Sequence, residues 1–350
     1  MLTLDRLETI LAALPRLTIA LVGDLFLDRY LEVDPALRET SIETGLEAYQ
    51  ITRVRNSPGA LGTVMNNLAA LGVGRLLPAT VIGDDGQAYD LLHELSKLPV
   101  DAQHILRDPA RLTPTYTKPM RRDAAGVWRE LNRLDLRNKA PLNAETLRRL
   151  IDHITTAFDA ADGLVVLDQV NEEGWGVVTT EVREHLAALC ARQPEKVVLV
   201  DSRQRIGQFR FGVLKPNVAE CLRALGRDEA SLGSTPDLTL AREAAEALAR
   251  HTGRPLFCTV GERGILAVGF AGQSPVLHMP GYPVDGPIDV VGAGDSATAG
   301  IVSALLAGAQ PGEAAALGNL VASITVQQLG TTGTASPRQV IARWRQTSGG

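Results

Sequence analysis

The stretch IDVVGAGDSATAG, Ile288 to Gly300, decides the fold. It reads as a short β-branched run, a glycine-rich turn carrying an aspartate, and a helix of small residues. Three chemistries use such a turn at a helix start: a dinucleotide cradle, an NTPase phosphate loop, and an anion site made by the free N–H groups and dipole of the helix end. A phosphate loop needs G-x-x-x-x-G-K-[ST], and the chain contains no Gly-Lys pair. Gly292 to Ala297 fits the dinucleotide pattern G-x-G-x-x-A. However, the run before it holds Pro287 and Asp289, and the acidic strand end expected about 20 residues later is replaced by the helix-like AQPGEAAALGNL. The anion site remains, with the N–H groups of Gly292, Ala293 and Gly294 beside Asp295 in the first turn. A carboxylate next to an anion hole makes sense if it takes a proton, as phosphoryl transfer to a hydroxyl requires. A capping aspartate after a glycine loop explains the stretch equally well.

Working outward, the chain has 350 residues, 45% of them hydrophobic, and a net charge of −5. Mild acidity argues against a nucleic-acid track, which needs a basic face. It leaves room for a local basic pocket. Cys190, Cys221 and Cys258 show no C-x-x-C spacing, so reduced thiols are expected rather than a zinc site or disulfide framework. The N-terminal apolar run is broken by Pro15 and Arg16, a poor signal peptide. No apolar run approaches the roughly 18 residues of a spanning helix. A cytoplasmic protein acting on a small molecule, with no nucleic acid and no membrane, is expected.

Apolar runs at 17–24, 75–85, 163–168, 196–201, 255–261 and 265–270 read as strands. Helical spacing falls at 62–72, 143–160, 176–193, 217–226 and 238–252. Alternating strands and helices imply a mostly parallel sheet covered on both faces, an α/β fold. Residues 31–57 and 112–136 break this rhythm. The second stretch reads as a hairpin around RRDAAG, and together the two suggest a small β element over the sheet edge. TSGG at the C-terminus reads as a frayed end. Asp24, Asp84, Asp168 and Asp201 all fall at the C-terminal ends of strands, the edge where open α/β sheets bind ligands. Aspartate is also a common strand terminator.

DVVGAGDSATAG resembles the C-terminal signature of the PfkB, or ribokinase-like, carbohydrate kinases, D-T-x-G-A-G-D, with Val290 in place of threonine. LVGDLFLDRY resembles their first strand and turn, LKPNVAEC their N-x-x-E, and TVGERG their T-x-G-x-x-G nucleotide loop. GNLVASITVQQLGTTGTASP resembles the helix along the adenine. The resemblance covers residues 17–345 and is nearest to the heptose-phosphate kinase domain of lipopolysaccharide precursor synthesis. That group shares G-D-x-x-L-D-R-Y and a lid pattern like TPTYTKPMR…NRLD. No nucleotidyltransferase domain is expected in these 350 residues, unlike in the group's two-domain members.

The resemblance implies a ribokinase-like three-layer sandwich, one domain over 1–350, with a β lid at about 31–57 and 112–136. It implies ATP and Mg²⁺ as cofactors, a sugar or sugar-phosphate acceptor, and Asp295 as the base. Asn217, Glu220, Thr259, Gly261, Gly264 and Asn319 fall on the nucleotide side, with Glu220 reaching Mg²⁺ through water. From spacing alone, Asn217 and Glu220 also read as a capping box. Asp28, Gly59, Thr63 and Asn67 fall on the acceptor side, and Asp289 with the Val291 carbonyl frames a monovalent-cation (K⁺) site as in some members. The family's Gly-Gly-x-x-x-Asn is altered here. Read from Pro58, Gly59 is kept, Ala60 replaces the second glycine and Thr63 the asparagine; read three residues later, Gly62 and Asn66 fit. The first register is preferred because it keeps the Leu71-Gly72 spacing. Arg29, Arg53, Arg55, Lys118, Arg121 and Arg122 cluster in the lid stretches and would suit a phosphorylated substrate. Lids of this kind pair between subunits, so a homodimer is expected. The competing readings are a nucleoside or simple hexose kinase, a non-catalytic sugar-binding relative, and a NAD-dependent oxidoreductase.

Overall fold

Ile19, Ala20, Leu21 and Val22 are all fully buried, so the strand Thr18–Gly23 faces apolar packing on both sides. Alternate side chains of a strand point to opposite faces. Accordingly Ile19 and Leu21 join one core cluster, and Ala20 and Val22 join another. The first cluster packs helices Leu4–Ala13, Leu61–Leu71, Gly86–Leu95, Ala293–Leu306 and Pro311–Thr325 onto the sheet. The second packs Ala144–Ala160, Thr180–Arg192, Val218–Ala224 and Leu238–Thr252 onto its other face. The chain is therefore a three-layer α/β sandwich. The computed structural model describes residues 2–123, 126, 128–228, 236–272 and 276–348.

The central sheet runs, from one edge to the other, Val276–Met279, Ile265–Val268, Leu256–Thr259, Val213–Leu214, Val197–Ser202, Gly163–Asp168, Thr18–Gly23, Arg75–Gly83, Ile105–Asp108. The first two are antiparallel additions and the rest pair in parallel. The expected strand at 255–261 stops at Thr259, because Gly261 takes a left-handed φ of 57° and opens a tight 3₁₀ turn.

A second, five-stranded sheet forms the lid. Leu25–Val33 pairs antiparallel with Ile51–Ala60 and parallel with Thr115–Arg122. Thr115–Arg122 in turn pairs with Trp128–Glu130 and Leu134–Leu136. The lid starts at Leu25 rather than near residue 31, and its second strand runs to Ala60 rather than 57. Leu25, Phe26 and Leu27 are buried, so this part of the lid strand carries no polar alternation to mark its start. The hairpin after Thr115–Arg122 forms as expected; its Ala124 and Ala125 lie outside the described residues. The C-terminal helix Pro337–Ser348 runs through Thr347, so the expected fraying does not reach that residue; Gly349 and Gly350 lie outside the described residues. All three cysteines are free, with Cys190 half-buried and the other two buried. Among the described residues no helix is long and apolar enough to cross a membrane.

Candidate active site

Helix Ala293–Leu306 begins at Gly292, which has a left-handed φ of 79° and offers no side-chain cap. A side chain there would also press on the methyls of Thr332 and Thr63, at 3.3 and 3.4 Å. The turn costs one expected donor: the Ala293 N–H is spent on the Val290 carbonyl at 3.1 Å. Of the three N–H groups expected as donors, those of Gly292 and Gly294 are left, because the turn that places the helix start is itself closed by a hydrogen bond. Asp295 stands in the first turn.

Burial, then the charge of Asp201, push the Asp295 carboxyl from an ordinary 3.8 up to about 7, against the pull of Lys215 and Arg203. Its side of the helix stays partly open, so this is a crowded cleft floor and not a sealed core. Lys215 is the residue that the sequence reading passed over. The residue is 3% exposed, and its ammonium lies 2.9 Å from Asp201 Oδ2 and 3.8 Å from where a Gly294 side chain would begin. Burial works against its charge, but Asp201, Glu220 and Asp295 outweigh it and raise its pKa. Asp201 also accepts a hydrogen bond from Thr298 Oγ1 at 3.3 Å, which ties the sheet edge to the same helix. A lysine ending the buried run VLKPN was the available signal, because a buried charge needs a partner.

Asn217 and Glu220 make the capping box in full: Asn217 N–H donates to Glu220 Oε2 at 2.8 Å and Glu220 N–H to Asn217 Oδ1 at 2.9 Å. The Glu220 carboxyl is pushed up to about 7, by burial first and then by Asp201. Among the described residues no group of three His, Cys, Asp or Glu is arranged to hold a metal directly. The residues therefore fit Mg²⁺ only in the water-mediated form in which that ion keeps most of its shell, with Glu220 as the outer acceptor. Asp289 uses one carboxylate oxygen on the Val291 N–H and the other on the Gly330 N–H, at 3.0 and 3.1 Å. It thus pins its own loop to the segment after helix Pro311–Thr325.

Beside the helix start lies an open cleft of about 740 Å³. Thr259, Gly261 and Gly264 form one rim; Tyr282, Val290 and Val326 supply an apolar wall, and Gly294 the floor. Asn319 lines it too, but its amide donates to the carbonyls of Met279 and Pro280 at 2.8 and 3.1 Å, holding the edge strand to the helix.

On the other side, Asp28 lies within the lid strand Leu25–Val33 instead of in a turn. It pairs with Lys118 at 3.1 Å and is close enough to raise the Asp295 pKa slightly. Gly59 lets Asp28 sit there, since a Cβ at that position would come 2.7 Å from Asp28 Oδ2. Ala60 has φ 51° and ψ −114°, and is the one non-glycine residue with positive φ among the described residues. That is a glycine conformation, and it supports the first register of the Gly-Gly-x-x-x-Asn reading. Thr63 is buried behind Gly292. Asn67 is fully buried, with its amide on the Thr63 carbonyl at 3.0 Å, so the structure does not bring it to the cleft surface.

Two expectations need correction. The lid cations are largely spent on internal partners: Arg29 binds Asp90 of helix Gly86–Leu95, Arg53 and Arg55 face Glu32 at 3.9 and 3.0 Å, and Arg122 stacks on Trp128. Lys118 reaches the site, through Asp28. Of the four strand-end aspartates, Asp201 belongs to the site. Asp24 accepts three backbone N–H groups, Asp168 is paired with Arg205, and Asp84 is exposed beside Arg107.

A nucleotide-sized cleft and a lid-covered side meeting at a glycine-capped helix define the site of a small-molecule phosphotransferase. The comparisons place it more narrowly: the family model for "pfkB family carbohydrate kinase" matches residues 27–338, and the chain belongs to that family. The chain is 30% identical over 339 residues to the "Bifunctional protein HldE" of Geobacter sulfurreducens, covering 95% of this chain but 64% of the relative. It therefore spans less than two thirds of that protein's length. Among solved structures, it resembles phosphofructokinase-2 from Escherichia coli, in complex with fructose-6-phosphate, at a TM-score of 0.68, 17% identity, and 95% and 99% coverage. It also resembles an Arabidopsis thaliana ribokinase complexed with ribose and ATP, at 0.65, 14%, and 93% and 98%. The fold is ribokinase-like.

Proposed function

We propose that the chain transfers the γ-phosphoryl group of ATP to a hydroxyl of a sugar or sugar phosphate, a heptose phosphate in particular. The observation that carries this reading is Asp295, a carboxyl raised to about 7, at a glycine-capped helix start between the two halves of the site. The open cleft takes the nucleotide, with its base against Tyr282, Val290 and Val326. The Gly292 and Gly294 N–H groups and the Lys215 ammonium hold the charge of the transferring group. Asp295 takes the proton of the attacking hydroxyl, and Asp28 orients the acceptor. Removing one such anion-hole donor costs on the order of 10²–10³ in rate elsewhere. Magnesium bound with the nucleotide supplies charge neutralisation on the phosphates. Asp289 frames a monovalent-cation site at the loop before the helix. The kinship with proteins named HldE and the G-D-x-x-L-D-R-Y and NRLD patterns support the heptose-phosphate preference.

Ile42, Leu46, Tyr49 and Val54, all within the lid stretch 31–57, are exposed, and this exposed apolar area supports a homodimer formed through the lids. A monodisperse monomer in small-angle scattering would sink that assignment. An ATP-consumption screen over sugars, sugar phosphates and nucleosides tests the activity. ATP binding without turnover on any acceptor would favour a non-catalytic relative instead.

A further inference from the structure

Tyr282 is the one aromatic side chain lining the open cleft among the described residues, and the segment that carries it is thinly held. Residues 281–288 leave the edge strand Val276–Met279 and approach helix Ala293–Leu306 without joining a strand or helix of their own. Just before them, the Asn319 amide holds the carbonyls of Met279 and Pro280. Just after them, the Asp289 N–H donates to the Val326 carbonyl at 2.7 Å. Between these ties, one hydrogen bond reaches the segment among the described residues: the Pro283 carbonyl accepts from Arg343 Nη2.

Arg343 lies 60 residues further along, on helix Pro337–Ser348, and is not part of the cleft lining. Its Nε donates to Ser323 Oγ at 3.3 Å, and that hydroxyl gives its own hydrogen to the Leu320 carbonyl at 2.8 Å. Pro283 and Ser323 both line the cleft. Arg343 is half-buried, and no carboxylate pairs with it among the described residues. One planar, rigid fork therefore bridges the Tyr282 segment and helix Pro311–Thr325 and fixes the distance between them. On its other side the segment presses on the rim turn Gly261–Arg263, where a Cβ at Gly281 would meet the Glu262 carbonyl oxygen at 2.4 Å. Helix Pro337–Ser348 has anchors of its own: Ile341 and Trp344 pack on the core, and Trp344 Nε1 donates to the Leu2 carbonyl at 3.2 Å. The Arg343 contacts are thus not what keeps that helix in place.

We propose that Arg343 is a positioning residue for the nucleotide: it holds the Tyr282 segment against helix Pro311–Thr325, so that the base meets a preformed wall, and it does so without touching the nucleotide. The proposal rests on the reading of this cleft as the ATP site. A wall ordered in advance spares binding part of the ordering cost that a loose one would add.

The test measures ATP affinity by titration calorimetry in wild-type protein, Arg343→Met, Arg343→Lys and Trp344→Phe, beside the KM for the acceptor. Arg343→Met removes both donors and should weaken ATP binding about 3- to 10-fold, the range set by ordering a side chain on binding, with the acceptor KM unchanged. Arg343→Lys keeps one donor and should fall between. Trp344→Phe removes the tie of the same helix to Leu2, and should lower the melting temperature while ATP affinity stays at the wild-type value. A purely structural Arg343 gives a different pattern. Unchanged ATP affinity in Arg343→Met, or a loss shared equally by Trp344→Phe, overturns the proposal. Should Arg343→Met not fold, Arg343→Lys decides: weaker ATP binding than in Trp344→Phe supports the role, and wild-type affinity overturns it. ATP binding without turnover on any acceptor removes the kinase reading and leaves this comparison standing. No ATP binding by wild-type protein overturns both.

Discussion

Ala60→Gly should make the protein more stable. Ala60 holds φ 51° and ψ −114° at the start of helix Leu61–Leu71, where no side chain caps the helix. A non-glycine residue kept in such a region costs about 1–3 kcal/mol. Glycine removes that cost but returns about 0.4–1 kcal/mol through the greater freedom of the unfolded chain. The lost methyl, half-buried against the core, returns up to about 0.8 kcal/mol more. With each contribution at the middle of its range, the balance is a gain of about 1 kcal/mol. Urea unfolding followed by tryptophan fluorescence reads this as a higher midpoint at unchanged slope. Ala60→Val is the counterpart: a β-branched side chain fits this conformation worse still and should lower the midpoint. If Ala60→Gly is less stable than wild-type by about 1 kcal/mol or more, Ala60 carries no strain and the glycine register argued from it falls.

Asp295→Asn should cut turnover by about 10²–10⁴, the contribution of a positioned base, and near-normal turnover would remove Asp295 from that role. The same variant should gain stability in one pH direction. The folded pKa lies above the unfolded value, so the wild-type carboxyl is harmless below about 4 and costs stability as pH rises to about 7, at about 1.4 kcal/mol for each pH unit between the two values. Asparagine escapes that cost; discounted for the partly open site, the advantage should be near zero at acid pH and about 1–3 kcal/mol above neutrality, read by thermal unfolding across pH. The pH profile of kcat/KM should fall on the acid side of about 7, where Asp295 and Glu220 take up protons, and a flat profile from pH 6 to 8 would contradict it. Lys215→Met should destabilise by about 3–5 kcal/mol, as expected for half of a buried pair, and move the acid limb of that profile to higher pH. Gly59→Ala should push Asp28 off Lys118 and raise the acceptor KM while the KM for ATP holds; equal changes in both would show general damage.

The central strands were legible because both their faces are buried. GLVVLD and KVVLVD are continuous apolar runs, and the observed strands match them to within a residue. The lid was legible as a break in the β/α rhythm, but its start was hidden where Leu25 to Leu27 extends the buried character of the strand before it. Asp295 lies in a compact local pattern that spacing alone marks, whereas Asn217 and Glu220 read from spacing as a capping box and were placed on the nucleotide side by the family resemblance. Lys215 could not be named from spacing, because its meaning depends on Asp201 from the neighbouring strand and on Asp295 from a distant helix. The sequence pointed instead to lid cations whose acidic partners, Asp90 for Arg29 and Glu32 for Arg53 and Arg55, are remote in the chain. The Ala293 N–H was counted as free because a closing turn cannot be seen in a string of small residues.

Asp24 has a mechanical consequence. It is the single residue between the rigid strand Thr18–Gly23 and the lid strand Leu25–Val33. Its N–H donates to Leu167, its carbonyl receives Leu61, and its carboxylate holds Gln169, Val170 and Val177. A joint with every polar group engaged cannot swing as a loose flap. Lid movement must travel as torsion through Asp24, and the hydrogen bond from Leu61 passes that torque into the helix whose Thr63 backs Gly292. The lid strand and the start of helix Ala293–Leu306 are thus linked by one continuous set of contacts, through Asp24, Leu61 and Thr63.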